Sequence, residues 1–179
     1  MSVGTQLPFD RLSRAVDQWA ARQDRRDVVA QIGPSSFQPV AMRSFAFLEH
    51  DRLRELQLQC SLMVSHAGMG SIITAMELGK PIIIMARDHR RGEHRNGHQL
   101  ATIKQFNHVP GVYVAADEAA LEEYLDRADE LSASTSLAST APGEFIEKLA
   151  AYVHTASRPP LMRRVRRLFH RLSPRSSSR

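Results

Sequence analysis

The stretch that decides the fold runs Leu62-Met63-Val64-Ser65-His66-Ala67-Gly68-Met69-Gly70-Ser71-Ile72-Ile73, continues Thr74-Ala75-Met76-Glu77-Leu78-Gly79-Lys80, and ends Pro81-Ile82-Ile83-Ile84-Met85-Ala86. Leu62-Met63-Val64 is a short apolar run, and Ser65 to Gly68 ends it. Gly70-Ser71 then opens a helical pattern carried by Ile72, Ile73, Ala75, Met76 and Leu78. Gly79 is placed to close that helix. Pro81 to Met85 is almost uninterruptedly apolar, as a parallel strand buried on both faces requires. The unit reads strand, helix, strand.

The alternation continues outward. Met1 to Thr5 reads as the end of a strand and a turn. Phe9, Leu12, Val16 and Trp19 fall at helical spacing. Asp27 to Gly33 reads as a strand stopped by Gly33-Pro34, Val40 to Leu48 as a third extended segment, and Asp51 to Gln59 as a helix. Downstream come a polar loop from Arg87 to Gly97, a helix from His98 to Phe106, a strand at Gly111 to Val114, and a helix marked by Leu121, Tyr124, Leu125, Ala128 and Leu131. Such alternation predicts an α/β, Rossmann-like, doubly wound parallel sheet. The expected organisation is one such domain over residues 1–131, a linker and C-terminal helix over 132–157, and a basic tail over 158–179.

Composition narrows the classes. The 179 residues support a core without staples, and the single cysteine, Cys60, leaves no intramolecular disulfide. Cys60 reads as a buried thiol. No apolar run approaches the roughly 20 residues needed to cross a bilayer, and no leader pattern is expected. The net charge of +5 belongs to the tail. Of the 24 lysines and arginines, eight arginines lie in 158–179, where no carboxylate occurs; 16 remain against 19 carboxylates elsewhere, a balance of −3. Leu161, Val165, Leu168 and Leu172 form a stripe among those arginines. A basic amphipathic helix of that kind suits an anionic membrane surface. Nucleic acid and a plain solvated tail are the alternatives.

The chemistry concentrates where strands end. Ser65-His66-Ala67-Gly68-Met69-Gly70-Ser71 stands between a strand and a helix, at the carboxyl edge where open α/β sheets bind ligands. Its glycines let a ligand approach closely, and the N–H groups at the helix start favour a diphosphate. Ser71 reads as a hydroxyl donor or as the helix cap. The motif is neither a Walker loop nor the dinucleotide fingerprint, because the third glycine is missing. Gly4 and Thr5 follow the first strand at the same edge. Glu77 is a candidate ribose ligand or a solvated carboxylate. Asn96, His98 and Gln99 start the next helix and can read sugar hydroxyls. His89, His94 and His98 hint at a metal, but Gly97 interrupts the spacing and no cysteine is near, so no metal is expected.

His66-Ala67-Gly68-Met69-Gly70-Ser71, then Glu77-Leu78-Gly79-Lys80-Pro81, then His98-Gln99 resembles the C-terminal domain of family 28 glycosyltransferases. With Val3-Gly4-Thr5 and Phe9-Asp10-Arg11-Leu12, the resemblance covers about residues 1–130. It points to the small donor-binding subunits of split transferases, and within them to bacterial exopolysaccharide subunits more than to the eukaryotic enzyme that adds a second N-acetylglucosamine to a lipid-linked sugar. The resemblance implies one half of a GT-B enzyme and a UDP-sugar as substrate, with no cofactor and no metal. Gly4, Thr5, His66, Gly68, Gly70 and Ser71 would surround the diphosphate and nearby sugar. Glu77 would hold the ribose, and Asn96, His98 and Gln99 would face the donor sugar. The catalytic base is expected on a partner, with His66 the candidate in this chain. That partner would be a membrane-anchored subunit carrying a polyprenyl-diphosphate-linked acceptor. Location would be cytoplasmic, at the inner face of the plasma membrane. A non-catalytic adaptor docked through the tail, or a nucleic-acid binder, are the competing functions.

Overall fold

The computed structural model describes residues 1–95 and 98–133. Among them are five strands and five α-helices. In chain order these are α1 (Asp10–Arg22), β1 (Val29–Gln31), β2 (Arg43–Phe45), α2 (His50–Gln59), β3 (Met63–His66), α3 (Met69–Glu77), β4 (Ile82–Met85), α4 (His98–Phe106), β5 (Val112–Ala115) and α5 (Glu118–Asp126). Each adjacent pair, β1 with β2, β3 with β4 and β4 with β5, is parallel.

The N-terminal segment joins the two groups. Ser2 bridges Gln31 on one side and Ser65 on the other, both in parallel sense. Ser2 N–H donates to Val64 O (2.9 Å), Val3 N–H to Gln31 O (3.0 Å), and Gln31 N–H to Met1 O (3.0 Å). The sheet therefore runs β2, β1, N-terminal segment, β3, β4, β5. The chain winds outward to β2, returns, and winds the other way from β3. The crevice between the N-terminal segment and β3 is the point at which strand order reverses, where doubly wound sheets hold ligands. This is the Rossmann-like α/β architecture that the alternation of elements predicts.

The elements form for local reasons. Ile82, Ile83, Ile84 and Met85 are each 0% exposed, so β4, between β3 and β5, is buried on both faces. Leu12, Ala15, Val16, Trp19 and Ala20 give α1 one buried face, in the same core as Leu121 and Leu125 of α5. Trp19 Nε1 closes that contact by donating to Asp126 Oδ1 (2.8 Å). At the end of α3, Gly79 adopts φ +61°, its N–H donates to Met76 O (3.2 Å), and Lys80 N–H donates to Ala75 O (2.9 Å). That is a Schellman closure, and its left-handed position favours glycine.

Several expectations shift. The extended segment at 40–48 narrows to Arg43–Phe45, because the Asp17 carboxylate captures the backbone before it: Oδ1 accepts from Val40 N (3.1 Å), Ala41 N (2.9 Å) and Met42 N (3.1 Å). Ser71 is not the cap of α3; Gly68 occupies that position with extended backbone, and Ser71 lies within the first turn. The helix marked by Leu121 to Leu131 ends at Asp126 and gives way to a 3-10 turn at Ala128–Glu130. Cys60 is half-buried rather than buried, and its thiol donates to Gln57 O (3.3 Å). Among the described residues no helix is long and apolar enough to cross a membrane. The expected linker and C-terminal helix, from residue 134 on, and the tail at 158–179 lie outside the described residues.

Candidate functional site

A cleft of about 440 Å³ opens at the carboxyl ends of the strands, at the reversal point. The N-terminal segment supplies Gly4, Thr5, Gln6 and Leu7; the end of β3 supplies His66; the cap and first turns of α3 supply Gly68, Gly70, Ser71 and Thr74; the loop after β4 and the start of α4 supply Arg87 and Gln99. A second cavity of about 460 Å³ lies toward the amino ends of β1 and β3, lined by Leu53, Leu56, Leu62 and Met63 among others. The first is the better candidate, because residues feeding it converge from several strand ends beside a helix N-terminus.

His66 lines it between Gly4 and Gly68. A Cβ built on Gly68 would lie 2.2 Å from His66 Nε2, and one built on Gly4 would lie 2.8 Å from Cε1. The imidazole thus occupies space that two glycines leave open. Gly4 also holds φ +81°, a left-handed backbone. Gly70 differs: its Cβ would meet nothing among the described residues within 4 Å.

The hydrogen bonds fix the ring. His66 Nδ1 is 3.2 Å from Ser65 Oγ, which lies 2.9 Å from Ser2 O and 2.9 Å from Ser71 Oγ. Ser65 has one proton, and the carbonyl of Ser2 can only accept. Donation from Ser65 to Ser2 O, with Ser71 Oγ–H and His66 Nδ1–H donating to Ser65 Oγ, satisfies all three contacts. That assignment leaves Nε2 the unprotonated nitrogen. Burial, and then the positive charge of Arg87, push the His66 pKa down to about 4. The ring is neutral at physiological pH.

Arg87 is 3% exposed. Its Nη2 donates to Val3 O (2.7 Å) and to Leu7 O, and its guanidinium stacks over the Phe9 ring at 5.2 Å. Burial pulls its pKa below the usual range, opposed by the Glu93 carboxylate. Arg87 N–H donates to Gln99 Oε1 (3.0 Å), so the Gln99 amide nitrogen is left as a donor. The loop after β4 is tied to α1 by Glu93, which accepts from Arg11 Nε (2.8 Å), Arg11 Nη2 (2.9 Å) and Asp88 N (2.8 Å). Burial alone would raise the Glu93 carboxyl, but these donors hold it below its ordinary value.

The structure thus brings together Gly4, Thr5, His66, Gly68, Gly70, Ser71 and Gln99. It does not bring Glu77 or His98 to the cleft: Glu77 is exposed at the end of α3, and His98 is exposed at the start of α4. Asn96 lies outside the described residues. Of the three histidines once grouped by spacing, only His94 lines the cleft, and among the described residues no three His, Cys, Asp or Glu side chains cluster to hold a metal. Sequence reasoning missed Arg87, Ser65 and Thr74. Arg87 was legible as the first charge after an apolar strand. Thr74 was legible as the residue three beyond Ser71, on the same helical face.

The comparisons with known proteins agree with this architecture. Over 85 residues the chain is 31% identical to the UDP-N-acetylglucosamine transferase subunit ALG13 of Mus musculus, a stretch covering 45% of this chain and 7% of that protein. The NMR structure of ALG13 superposes with a TM-score of 0.55 at 17% identity, over 83% of this chain and 92% of that one. The crystal structure of a glycosyltransferase of kitacinnamycin gives 0.50 at 14% identity, over 76% of this chain and 35% of that one. At such identities the structures speak for the fold alone, that of one half of a GT-B enzyme. The family described as the glycosyltransferase family 28 C-terminal domain matches residues 2–155, and this chain belongs to it.

Proposed function

We propose that this chain is the donor-binding subunit of an inverting glycosyltransferase, which moves a sugar from a UDP-sugar to a lipid-linked acceptor in exopolysaccharide or related glycan synthesis. The observation that carries the reading is the cleft at the strand-order reversal, where the start of α3, the Gly4–Thr5 turn and Gln99 meet around a neutral His66. The N–H groups of Met69, Gly70 and Ser71, in the first turn of α3, would meet the diphosphate. Ser71 would add a hydroxyl. The ribose contact is assigned to Thr74, which lines the cleft, in place of Glu77, which does not. Gln99 would face the donor sugar, with Asn96 and His98 on the adjoining loop and helix start.

In the reaction, an acceptor hydroxyl attacks the anomeric carbon from the face opposite UDP. The bond from that carbon to the β-phosphate oxygen breaks, and its electron pair leaves with UDP. The helix start stabilises that developing charge. The hydroxyl proton passes to a base, expected on a membrane-anchored partner that contributes the acceptor half and a polyprenyl-diphosphate-linked acceptor. His66 Nε2 is the candidate in this chain. The complex would sit at the cytoplasmic face of the plasma membrane, with residues 158–179 on the anionic surface.

Calorimetry with UDP, GDP, dTDP, ADP and NAD tests the reading, first on the chain and then on the complex copurified with its partner. Selective UDP binding, lost in His66→Ala, is expected. A complex that ignores UDP would leave the adaptor reading, docked at membranes through the tail, as the better one.

A further inference from the structure

We propose that Arg87 is a positioning residue for the cleft, a buried strut that holds the Gly4–Leu7 loop against the end of β3 so that the His66 ring stays seated between Gly4 and Gly68. The inference rests on the donor-site reading only for its effect on UDP.

Geometry carries it. The guanidinium reaches the carbonyls of Val3 and Leu7 with one nitrogen, so a single group spans both ends of the turn that contains Gly4 and Thr5. Its guanidinium stacks over Phe9, itself 0% exposed. Its Nε, buried, has no hydrogen-bond partner among the described residues. An orphaned buried donor is unfavourable by itself, so the side chain is not there for stability alone. Gln99 completes the arrangement by accepting from the Arg87 backbone N–H. One residue therefore links the N-terminal loop, the end of β4 and the start of α4, three of the elements that wall the cleft.

Arg87 acts on His66 by charge as well. Burial is the largest cause of the lowered His66 pKa; after it come the charge of Arg87, which lowers it, the backbone of Ser2, which raises it, and His94, which lowers it. Arg87 is the larger of the two charges. A planar fork and an ammonium should separate the two roles, since lysine keeps the charge but not the rigid geometry.

The test uses the full chain without ligand, in three forms: wild type, Arg87→Met and Arg87→Lys. Amide hydrogen exchange is followed at Val3 and Gly4, whose N–H groups donate to Gln31 O and Ser2 Oγ, and the His66 ring is titrated by NMR. In Arg87→Met, exchange at Val3 and Gly4 should quicken roughly tenfold or more relative to the β4 and β5 amides, and the His66 midpoint should rise from about 4 but stay below 6.5, because burial, the larger cause, remains. In Arg87→Lys the midpoint should stay low while loop exchange still quickens several-fold. Wild-type loop exchange in Arg87→Met overturns the proposal. Should Arg87→Met fail to fold, wild-type loop exchange in Arg87→Lys overturns it equally. UDP affinity of the folded variants is then compared with wild type, and a roughly tenfold loss is expected. A wild-type chain and complex that bind no UDP would sink the donor reading while leaving the ligand-free result standing.

Discussion

The Nε2 of His66 sits where a side chain at Gly68 would begin: a Cβ there would be 2.2 Å away. Gly68 has φ −96°, an ordinary extended backbone, so the conformation itself does not demand glycine. The imidazole does. The glycine-rich motif between β3 and α3 therefore serves its own histidine before it serves any ligand.

That relationship separates two glycines by experiment. Gly68→Ala should destabilise the chain by about 1–3 kcal/mol through overpacking, and His66→Ala in the same chain should recover most of the loss. Gly4→Ala should retain a backbone part of about 1–2 kcal/mol whatever stands at 66, because φ +81° strains any side chain. Urea unfolding of wild type, His66→Ala, Gly68→Ala, Gly4→Ala and the two double variants that combine each glycine change with His66→Ala, read as two double-mutant cycles, checks both. Equal, unrecovered losses at the two positions would contradict the packing account.

The depressed His66 pKa fixes a sign for acid stability. The folded ring binds its proton only near pH 4, whereas the unfolded ring does so near 6.5. Between these values the unfolded state holds more protons, so stability rises with pH through that window and falls as pH drops. The full effect is on the order of 3 kcal/mol. His66→Gln should lose this component, flattening the stability profile between pH 4 and 6.5. Chemical denaturation at four or five pH values measures it, and an unchanged slope in His66→Gln would assign the acid sensitivity elsewhere.

Gly70 is open where Gly68 is crowded, with nothing among the described residues within 4 Å of a built Cβ. It lies in the first turn of α3, where alanine is favoured by up to about 1 kcal/mol. Gly70→Ala should leave the free chain as stable or slightly more so, and should weaken UDP binding about tenfold if a phosphate uses that space. Thermal melting and calorimetry on the same variant read the two effects apart.

Thr74 and Glu77 make competing claims on the ribose. Thr74 lines the cleft, while Glu77 sits a turn further on and is exposed. Thr74→Val should weaken UDP roughly fivefold, the size of one hydrogen bond, with Glu77→Gln close to wild type. The reverse order would restore Glu77 and move the bound nucleotide along α3. Comparing UDP with UMP and uracil locates the affected part of the ligand.

The sequence by itself determined the alternation of elements and hence the sheet. The apolar run at 82–85, the glycine stop at 79 and the amphipathic face of α1 depend on chain-local periodicity and backbone preference, which need no partner to be read. The motif at 66–71 was legible for the same reason, since glycines between a strand and a helix place it at the ligand edge. Only the tertiary structure decided who meets there. Arg87 reaches Val3 and Leu7 across 80 or more residues, and Asp17 takes the amides of residues 40–42 across more than 20. Such contacts leave no period in the chain. The use of Gly4 and Gly68 to seat one imidazole was equally hidden, because steric room is a property of packed neighbours and not of the glycine. The choice between Thr74 and Glu77 was hidden for a related reason: the position of each along α3 was readable, but which helical face met the cleft was set by how the helix docks on the sheet.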